Sequence, residues 1–197
     1  MSYINQQNQL YLEKEDPWNV FYGPRRKIND QYYRIIMGTI PFDMKYIVDI
    51  GCGLGRLVDM INTEMKDKTA IGVDSSPICI ENTKKRYPSY HFEVGDIRTW
   101  RPHEKMDMVL STGSYYHFEK DERLEILHHI RDYLALGSLL LVAYGWDIHL
   151  NGKNTECYPD LSKEIFSVFK PHQVLRYQII DNTNKEDGSW VFYIGEK

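Results

Sequence analysis

The sequence has few of the features that mark extracellular or membrane-bound proteins. Its three cysteines, Cys52, Cys79 and Cys157, lie far apart, show no C-x-x-C spacing and are odd in number. No apolar run approaches the roughly 18 residues that a membrane span requires. The first nine residues are polar, unlike the apolar segment of an export signal. We therefore expect a cytoplasmic protein with free thiols and no membrane partner.

An excess of positive charge is also missing. The chain has 24 lysine and arginine residues against 28 aspartate and glutamate residues, a formal net charge of −4. Because nucleic-acid-binding proteins generally present a basic surface, no nucleic-acid partner is expected. Seven histidines occur, but His128 and His129 would point to different sides of a helix, and no H-x-x-x-H or cysteine–histidine set is present. No metal site is expected.

Apolar segments alternate with helix-period segments along the chain, the pattern of a parallel sheet covered by helices. With 42% hydrophobic residues and no low-complexity linker, a single domain over residues 1–197 is predicted. Parallel strands are expected at residues 46–50, 69–74, 90–94, 106–111 and 139–143, and an antiparallel hairpin at 173–180 and 190–194. The predicted fold class is α/β: a Rossmann-like, seven-stranded, mainly parallel sheet with a C-terminal antiparallel hairpin and helices on both faces.

Predicted helices lie between these strands. Apolar residues recur at helical spacing over residues 54–61, after the first strand. Ser75-Ser76-Pro77 supplies a cap and a first-turn proline for a helix that ends near Tyr87. A third helix is expected over residues 120–134, before Gly137. A helix-like run at residues 32–36 precedes the first strand.

The segment Asp49-Ile50-Gly51-Cys52-Gly53-Leu54-Gly55 follows the first predicted strand. Glycines let the backbone approach a ligand closely, and the N-terminus of the next helix offers unpaired N–H groups, so a polar or anionic group is expected here. A dinucleotide site would carry G-x-G-x-x-G, but the third glycine comes one residue early, at Gly55, and Arg56 follows. This spacing disfavours an NAD-dependent oxidoreductase, which stays an alternative.

Polar residues lie at or after the ends of the next three predicted strands, at the same edge of the sheet: Asp74 and Ser75, Asp96, which Ile97 follows, and Ser111 and Thr112. An aspartate such as Asp74 is also typical of a helix cap, and Asp96 of a turn. In combination, over about residues 45–145, these motifs resemble those of class I S-adenosylmethionine-dependent methyltransferases. The resemblance implies S-adenosyl-L-methionine as cofactor, bound by Asp49, Gly51, Cys52, Gly53, Gly55, Asp74, Ser75, Asp96, Ile97, Ser111 and Thr112. In that family the glycine loop binds the methionine part of the cofactor. The acidic residue at the position of Asp74 binds the ribose, and the one at the position of Asp96 binds the adenine.

A looser resemblance involves three further segments: Asp16-Pro17-Trp18, the tyrosine-bearing helix-like run at residues 32–36, and Ser111-Thr112-Gly113-Ser114-Tyr115-Tyr116-His117. Together they resemble the nodulation protein S type of small-molecule N-methyltransferase, although a glutamate often found in the third segment is absent. Three regions are predicted within the domain: a helical extension or lid at 1–44, a cofactor-binding core at 45–145, and a substrate-side loop and hairpin at 146–197.

Methyl transfer needs chiefly in-line positioning, because the methyl sulfonium is already activated. An amine acceptor would also need a hydrogen-bond or proton acceptor, and the catalytic candidates are His117, Tyr116 and Tyr22. A histidine at this place is equally typical of a helix cap, and aromatic residues at helical spacing are also typical of a core. The substrate-side candidates are Trp18, Tyr32, Trp146 and His149.

The predicted function is the transfer of a methyl group to a small-molecule acceptor, an amine or a hydroxyl compound. An NAD-dependent oxidoreductase and a non-catalytic S-adenosylmethionine-binding regulatory module are the alternatives. A nucleic-acid methyltransferase is disfavoured by the net charge of −4.

Overall fold

A computed structural model describes residues 3–18, 20–22, 26–150, 153–155, 161–181 and 186–197. The chain divides into two compact units, unit 1 (Met1–Trp100) and unit 2 (Arg101–Lys197). The single domain over residues 1–197 stays a prediction. Within the described ranges, no helix combines the length and the apolar character that crossing a membrane requires.

The described residues of unit 1 form three parallel strands and four helices. The strands are β1 (Tyr46–Ile50), β2 (Thr69–Asp74) and β3 (Phe92–Val94), and the helices are α1 (Tyr3–Glu13), α2 (Arg26–Gly38), α3 (Arg56–Glu64) and α4 (Pro77–Arg86). Strand β2 pairs in parallel with both β1 and β3. Ile47 and Val48 of β1 are fully buried, as expected for a parallel strand that is covered on both faces.

Helix α4 begins as the sequence predicts. The hydroxyl oxygen of Ser76 accepts the N–H of Cys79 at 3.2 Å, and Pro77 occupies the first turn. Lys84, Lys85 and Arg86 lie in the last turn, where positive charge interacts favourably with the helix dipole. The end of β2 and the start of α4 are therefore fixed by local interactions.

In the part of unit 2 that the structure describes, there are five strands and two α-helices. The strands are β4 (Met108–Thr112), β5 (Leu139–Leu150), β6 (Lys153–Thr155), β7 (Lys170–Asp181) and β8 (Glu186–Glu196), and the helices are α5 (Lys120–Tyr133) and α6 (Ser162–Val168). A short 3₁₀ helix, Tyr115–His117, lies between β4 and α5. Strand β4 is parallel to β5, whereas β8 is antiparallel to both β5 and β7.

The predicted fold class is confirmed: the chain has a Rossmann-like, mainly parallel α/β fold with a C-terminal antiparallel hairpin. Four elements have no counterpart in the prediction, namely α1, α6, the 3₁₀ helix and the short strand β6. Residues 146–150, predicted as a loop, belong instead to β5. Antiparallel pairing with β8 and β6 extends this strand beyond its apolar first half, with a register shift between Gly145 and Asp147.

Candidate active site

The loop after β1 is held by backbone hydrogen bonds to the end of β2. Gly51 and Cys52 donate their N–H groups to the carbonyl oxygen of Val73 at 2.7 and 3.0 Å, and Gly55 donates to Cys52 at 3.0 Å. Gly51, Gly53 and Gly55 have φ angles of 83°, 50° and 74°. Side-chain-bearing residues rarely adopt this left-handed conformation, so the alternating glycines make the loop possible.

Asp74, the last residue of β2, joins this loop to the start of α4. Its Oδ2 accepts the N–H of Gly53 at 3.0 Å, and its Oδ1 accepts the N–H of Ser76 at 2.9 Å. Burial raises the pKa of the carboxyl above its ordinary value, although both N–H groups act in the opposite direction. A carboxylate has about four lone-pair sites, so each oxygen keeps capacity for one more donor.

Two of the loop glycines also lie close to neighbouring side chains, Gly55 more closely than Gly53. A Cβ atom on Gly55 would lie 2.7 Å from Thr83 Cγ2 and 2.8 Å from the ring of Phe92. A Cβ atom on Gly53 would lie 3.2 Å from the hydroxyl oxygen of Tyr11. The hydroxyl of Thr83 also donates to the carbonyl oxygen of Gly53 at 3.2 Å, so α4 packs directly against the loop.

Asp49 and Cys52 form a buried part of the same region. Asp49 is 1% exposed, and its charge adds to the effect of burial in raising the pKa of Tyr33 on α2. Burial, followed by the charges of Asp74 and Asp49, raises the pKa of the Cys52 thiol well above its usual value. Cys52 therefore stays a neutral thiol and acts as a small apolar residue.

Asp96 follows β3 and is bound by its own neighbour. Arg98 donates its N–H and Nε to Oδ1 at 2.9 and 3.0 Å, and Nε and Nη2 to Oδ2 at 3.1 and 2.6 Å. Burial raises the pKa of Asp96, but the bonds from Arg98 outweigh that effect and the pKa is lowered. The predicted adenine partner is thus an ionised carboxylate whose acceptor sites are engaged. Ile97, beside it, is 6% exposed.

In unit 2, the predicted residues lie on β4 and the turn that follows it. Ser111 is fully buried, and its hydroxyl oxygen lies 2.9 Å from that of Ser114. Thr112 ends the strand. In the 3₁₀ helix, the ring centroids of Tyr116 and His117 are 4.2 Å apart, with Tyr116 half-buried and His117 exposed. Trp146 and His149 belong to β5, and their side chains lie outside the described part of the chain.

The glycine loop and its acidic neighbours lie in a segment that matches a known protein family. Residues 47–137 match a family described as a methyltransferase domain. The match spans β1 to Gly137 and includes the loop, Asp74, Asp96 and the Tyr116–His117 turn. The resemblance to class I methyltransferases is confirmed.

A curated relative covers part of the same region. Over 80 residues, the chain is 29% identical to trans-aconitate 2-methyltransferase from Escherichia coli, which corresponds to 40% of this chain and 32% of that protein. The chain therefore spans about a third of the length of the curated relatives it matches.

Solved structures resemble the whole chain. The N-methyltransferase NodS from Bradyrhizobium japonicum, in complex with S-adenosyl-L-homocysteine, covers 100% of both chains with a TM-score of 0.72 and 14% identity. Magnesium protoporphyrin IX methyltransferase from Synechocystis, with bound S-adenosylmethionine, covers 100% of this chain and 98% of its own, with a TM-score of 0.66 and 13% identity. At these identities the likeness shows a shared fold.

Helix α1 precedes the segment that matches the methyltransferase family. It places two residues beside the glycine loop and the start of α4, and the sequence alone did not identify either of them. Tyr11 is 5% exposed and packs with Leu54 of the loop and Cys79 of α4. Asn8, one turn earlier, accepts the hydroxyl hydrogen of Ser76 at 2.6 Å. Their spacing of three residues places them on one side of a helix, but the polar sequence of α1 gave no apolar pattern by which to find them.

The predicted aromatic residues of the extension lie in different environments. Asp16 accepts the N–H groups of Val20, Phe21 and Tyr22 at 2.7 to 3.0 Å. The Tyr22 hydroxyl is 3.5 Å from Arg86, and this tyrosine lines a groove of about 650 Å³ together with Tyr11 and Leu54.

Trp18 is 45% exposed, whereas Tyr32 is 7% exposed, with its ring centroid 5.4 Å from that of Tyr33. The burial of Tyr32 favours a role in the core.

Among the residues that the structure describes, no three histidine, cysteine or acidic side chains are grouped as a metal site would require.

Proposed function

We propose that this chain is an S-adenosylmethionine-dependent methyltransferase acting on a small-molecule acceptor, an amine or a hydroxyl compound, in the cytoplasm. The observation that carries the proposal is the bond from Gly53 N–H to Asp74 Oδ2, which fixes an acidic side chain beside a loop of left-handed glycines. The methyltransferase domain over residues 47–137 supports it. The N-methyltransferase NodS supports it as well, because its structure has the same fold and contains S-adenosyl-L-homocysteine.

Asp74 fits the ribose of such a cofactor. Each carboxylate oxygen accepts one backbone N–H and has a lone pair left, and a ribose offers two neighbouring hydroxyl donors. Hydrogen bonds to a charged acceptor contribute about 1.5–3 kcal/mol each. The cofactor supplies a methyl group on a positively charged sulfur. On this proposal Gly51, Cys52 and Gly53 line its methionine part and Ser75 lies next to the ribose.

Asp96 fits the adenine amino group only if Arg98 gives up part of its contact. Arg98 directs four donor contacts to the two oxygens of Asp96, which matches the number of lone-pair sites. We therefore propose that adenine binds beside Ile97 and replaces one donor of Arg98.

Tyr116 and His117 are the proposed groups that assist the acceptor. A neutral imidazole or a phenol oxygen can accept the proton of an amine during transfer, and both residues lie on one short turn with their rings 4.2 Å apart. Tyr22 is a weaker candidate because its hydroxyl is directed to Arg86. Ser111, Thr112, Trp18, Trp146 and His149 are proposed to contribute to the binding of cofactor or acceptor.

Calorimetric titration with S-adenosylmethionine, S-adenosylhomocysteine and NAD tests the cofactor. The wild type is compared with Asp74→Asn and with Asp67→Asn, which changes an exposed aspartate just before the same strand. Loss of ribose hydrogen bonds to the charged acceptor predicts about 10- to 100-fold weaker binding for Asp74→Asn. Asp67→Asn should bind as the wild type does. Binding of NAD alone would overturn the proposal.

An assay of methyl transfer distinguishes an enzyme from a non-catalytic S-adenosylmethionine-binding regulatory module. Amines, hydroxyl compounds and carboxylic acids are incubated with methyl-labelled cofactor, and the label in each acceptor is counted. Turnover of an amine or a hydroxyl compound supports the proposal. Tight cofactor binding with no transfer to any acceptor would favour the module.

A further inference from the structure

A buried ion pair lies next to the turn that carries Tyr116 and His117. Nε and Nη2 of Arg123 on α5 donate to the two oxygens of Glu164 on α6 at 2.8 and 2.7 Å. The two side chains are only 10% and 12% exposed. This bidentate geometry is the strongest and most directional form of an arginine–carboxylate contact.

The remaining donor of Arg123 reaches the turn. Nη1 of Arg123 donates to the carbonyl oxygen of Phe118 at 2.7 Å, directly after His117. In the other direction, the hydroxyl of Tyr115 donates to the carbonyl oxygen of Arg123 at 3.2 Å, and Tyr115 is 1% exposed. Both ends of the 3₁₀ helix Tyr115–His117 are therefore tied to the same residue of α5.

Stability alone does not explain such a pair. The free-energy cost of removing two charges from water is about as large as the gain from their attraction. Apolar residues of similar volume therefore often replace a buried ion pair without loss of protein stability. What the pair adds is direction: a planar guanidinium held by two carboxylate oxygens has one orientation, and so does its third donor. The Phe118 carbonyl, and with it the preceding turn, is fixed.

We propose that Arg123 and Glu164 are positioning residues that hold Tyr116 and His117 in the orientation used for methyl transfer. This inference rests on the proposed function of these two residues. Glu164 orients the guanidinium, Arg123 fixes the Phe118 carbonyl, and neither contacts the acceptor. A displacement of about 1 Å at a reacting group can cost about a hundredfold in rate, so the loss of this tie should lower kcat and leave cofactor binding unchanged.

The test uses the full chain with the double variant Arg123→Met/Glu164→Leu, which replaces the pair by apolar side chains. The control is Arg34→Met/Glu64→Leu, which removes an exposed bidentate pair of the same type from unit 1. For each protein, Tm, the Kd of S-adenosylmethionine, kcat and KM are measured, and the imidazole resonances of His117 are followed by NMR.

The expected result is a kcat about a hundredfold lower in the Arg123/Glu164 variant, with shifted His117 resonances, a Kd within twofold of the wild type and a control that is unchanged. Unchanged kcat and unchanged resonances would overturn the inference. If the double variant does not fold, Arg123→Lys replaces it. A lysine cannot contact both Glu164 oxygens and the Phe118 carbonyl, so a reduced kcat with moved resonances supports the inference, and wild-type values in both overturn it.

A different result would contradict the proposed function: a wild-type protein that neither binds the cofactor nor transfers a methyl group. In that case the His117 resonances still decide whether Arg123 positions the turn.

Discussion

The glycine loop of unit 1 and the Tyr115–His117 turn of unit 2 are both short connections after a parallel strand, yet they are held in different ways. Backbone N–H groups tie the loop to Val73 and Asp74. Side chains from two helices tie the turn, through Arg123 and Glu164. A connection built from glycines is visible in the sequence because its backbone conformation needs particular residues. A connection held by distant side chains leaves no local pattern.

One of the two largest expected effects is at Gly55, compared with Gly113 in unit 2. Both have a left-handed φ, 74° and 88°, but a Cβ atom on Gly113 meets nothing within 4 Å. Gly113→Ala should therefore cost only the strain of about 1–2 kcal/mol. Gly55→Ala adds overpacking against Thr83 and Phe92 of about 1–3 kcal/mol. Urea unfolding of both variants measures the difference, and equal losses would mean that the Gly55 contacts relax freely.

Single substitutions of the buried and exposed ion pairs come next. Glu164→Gln leaves the guanidinium of Arg123 without its charged partner, and breaking a buried pair in this way costs about 3–5 kcal/mol. Glu64→Gln removes the partner of Arg34, whose side chain is 59% exposed. Solvent screening limits that loss to about 0–1 kcal/mol. Free energies of unfolding from denaturant titration compare the two, and similar values would contradict the burial argument.

Arg98→Gln sharpens the comparison between Asp74 and Asp96. If adenine must displace a donor of Arg98, removing that donor frees the Asp96 carboxylate, and S-adenosylmethionine should bind up to about tenfold more tightly, the equivalent of one hydrogen bond. Titration calorimetry measures the Kd, with Arg101→Gln as the control at a neighbouring exposed arginine. Weaker binding in Arg98→Gln would mean that Arg98 itself contributes to the site.

The last comparison concerns the pH dependence of cofactor binding. Burial raises the pKa of Asp74. An ordinary aspartate takes up its proton near pH 4, and on acidification Asp74 takes up its proton at a higher pH than that. Its protonated form stabilises the fold, and that contribution is lost as the pH rises through the raised pKa.

Ribose binding by Asp74 needs the charged form, so the Kd should increase on mild acidification by up to about tenfold per pH unit below that pKa. The lowered pKa of Asp96 keeps its carboxylate charged over the same range. Calorimetry between pH 7 and pH 4, in steps of about one unit, should show the dependence in the wild type and lose it in Asp74→Asn. A dependence that persists in Asp74→Asn would assign it to another group.

The sequence by itself predicted the strands β1 and β2, the cap and proline of α4, the glycine loop and the position of Asp74. These features depend on residues close together in the chain, whose conformational preferences act locally. Only the tertiary structure showed that Tyr11 packs on Leu54, that Arg98 engages Asp96, that β5 continues through residue 150, and that Arg123 and Glu164 hold the turn. Contacts such as Arg123 to Glu164, 41 positions apart, form because folding brings the side chains together, and no spacing rule in the sequence encodes them.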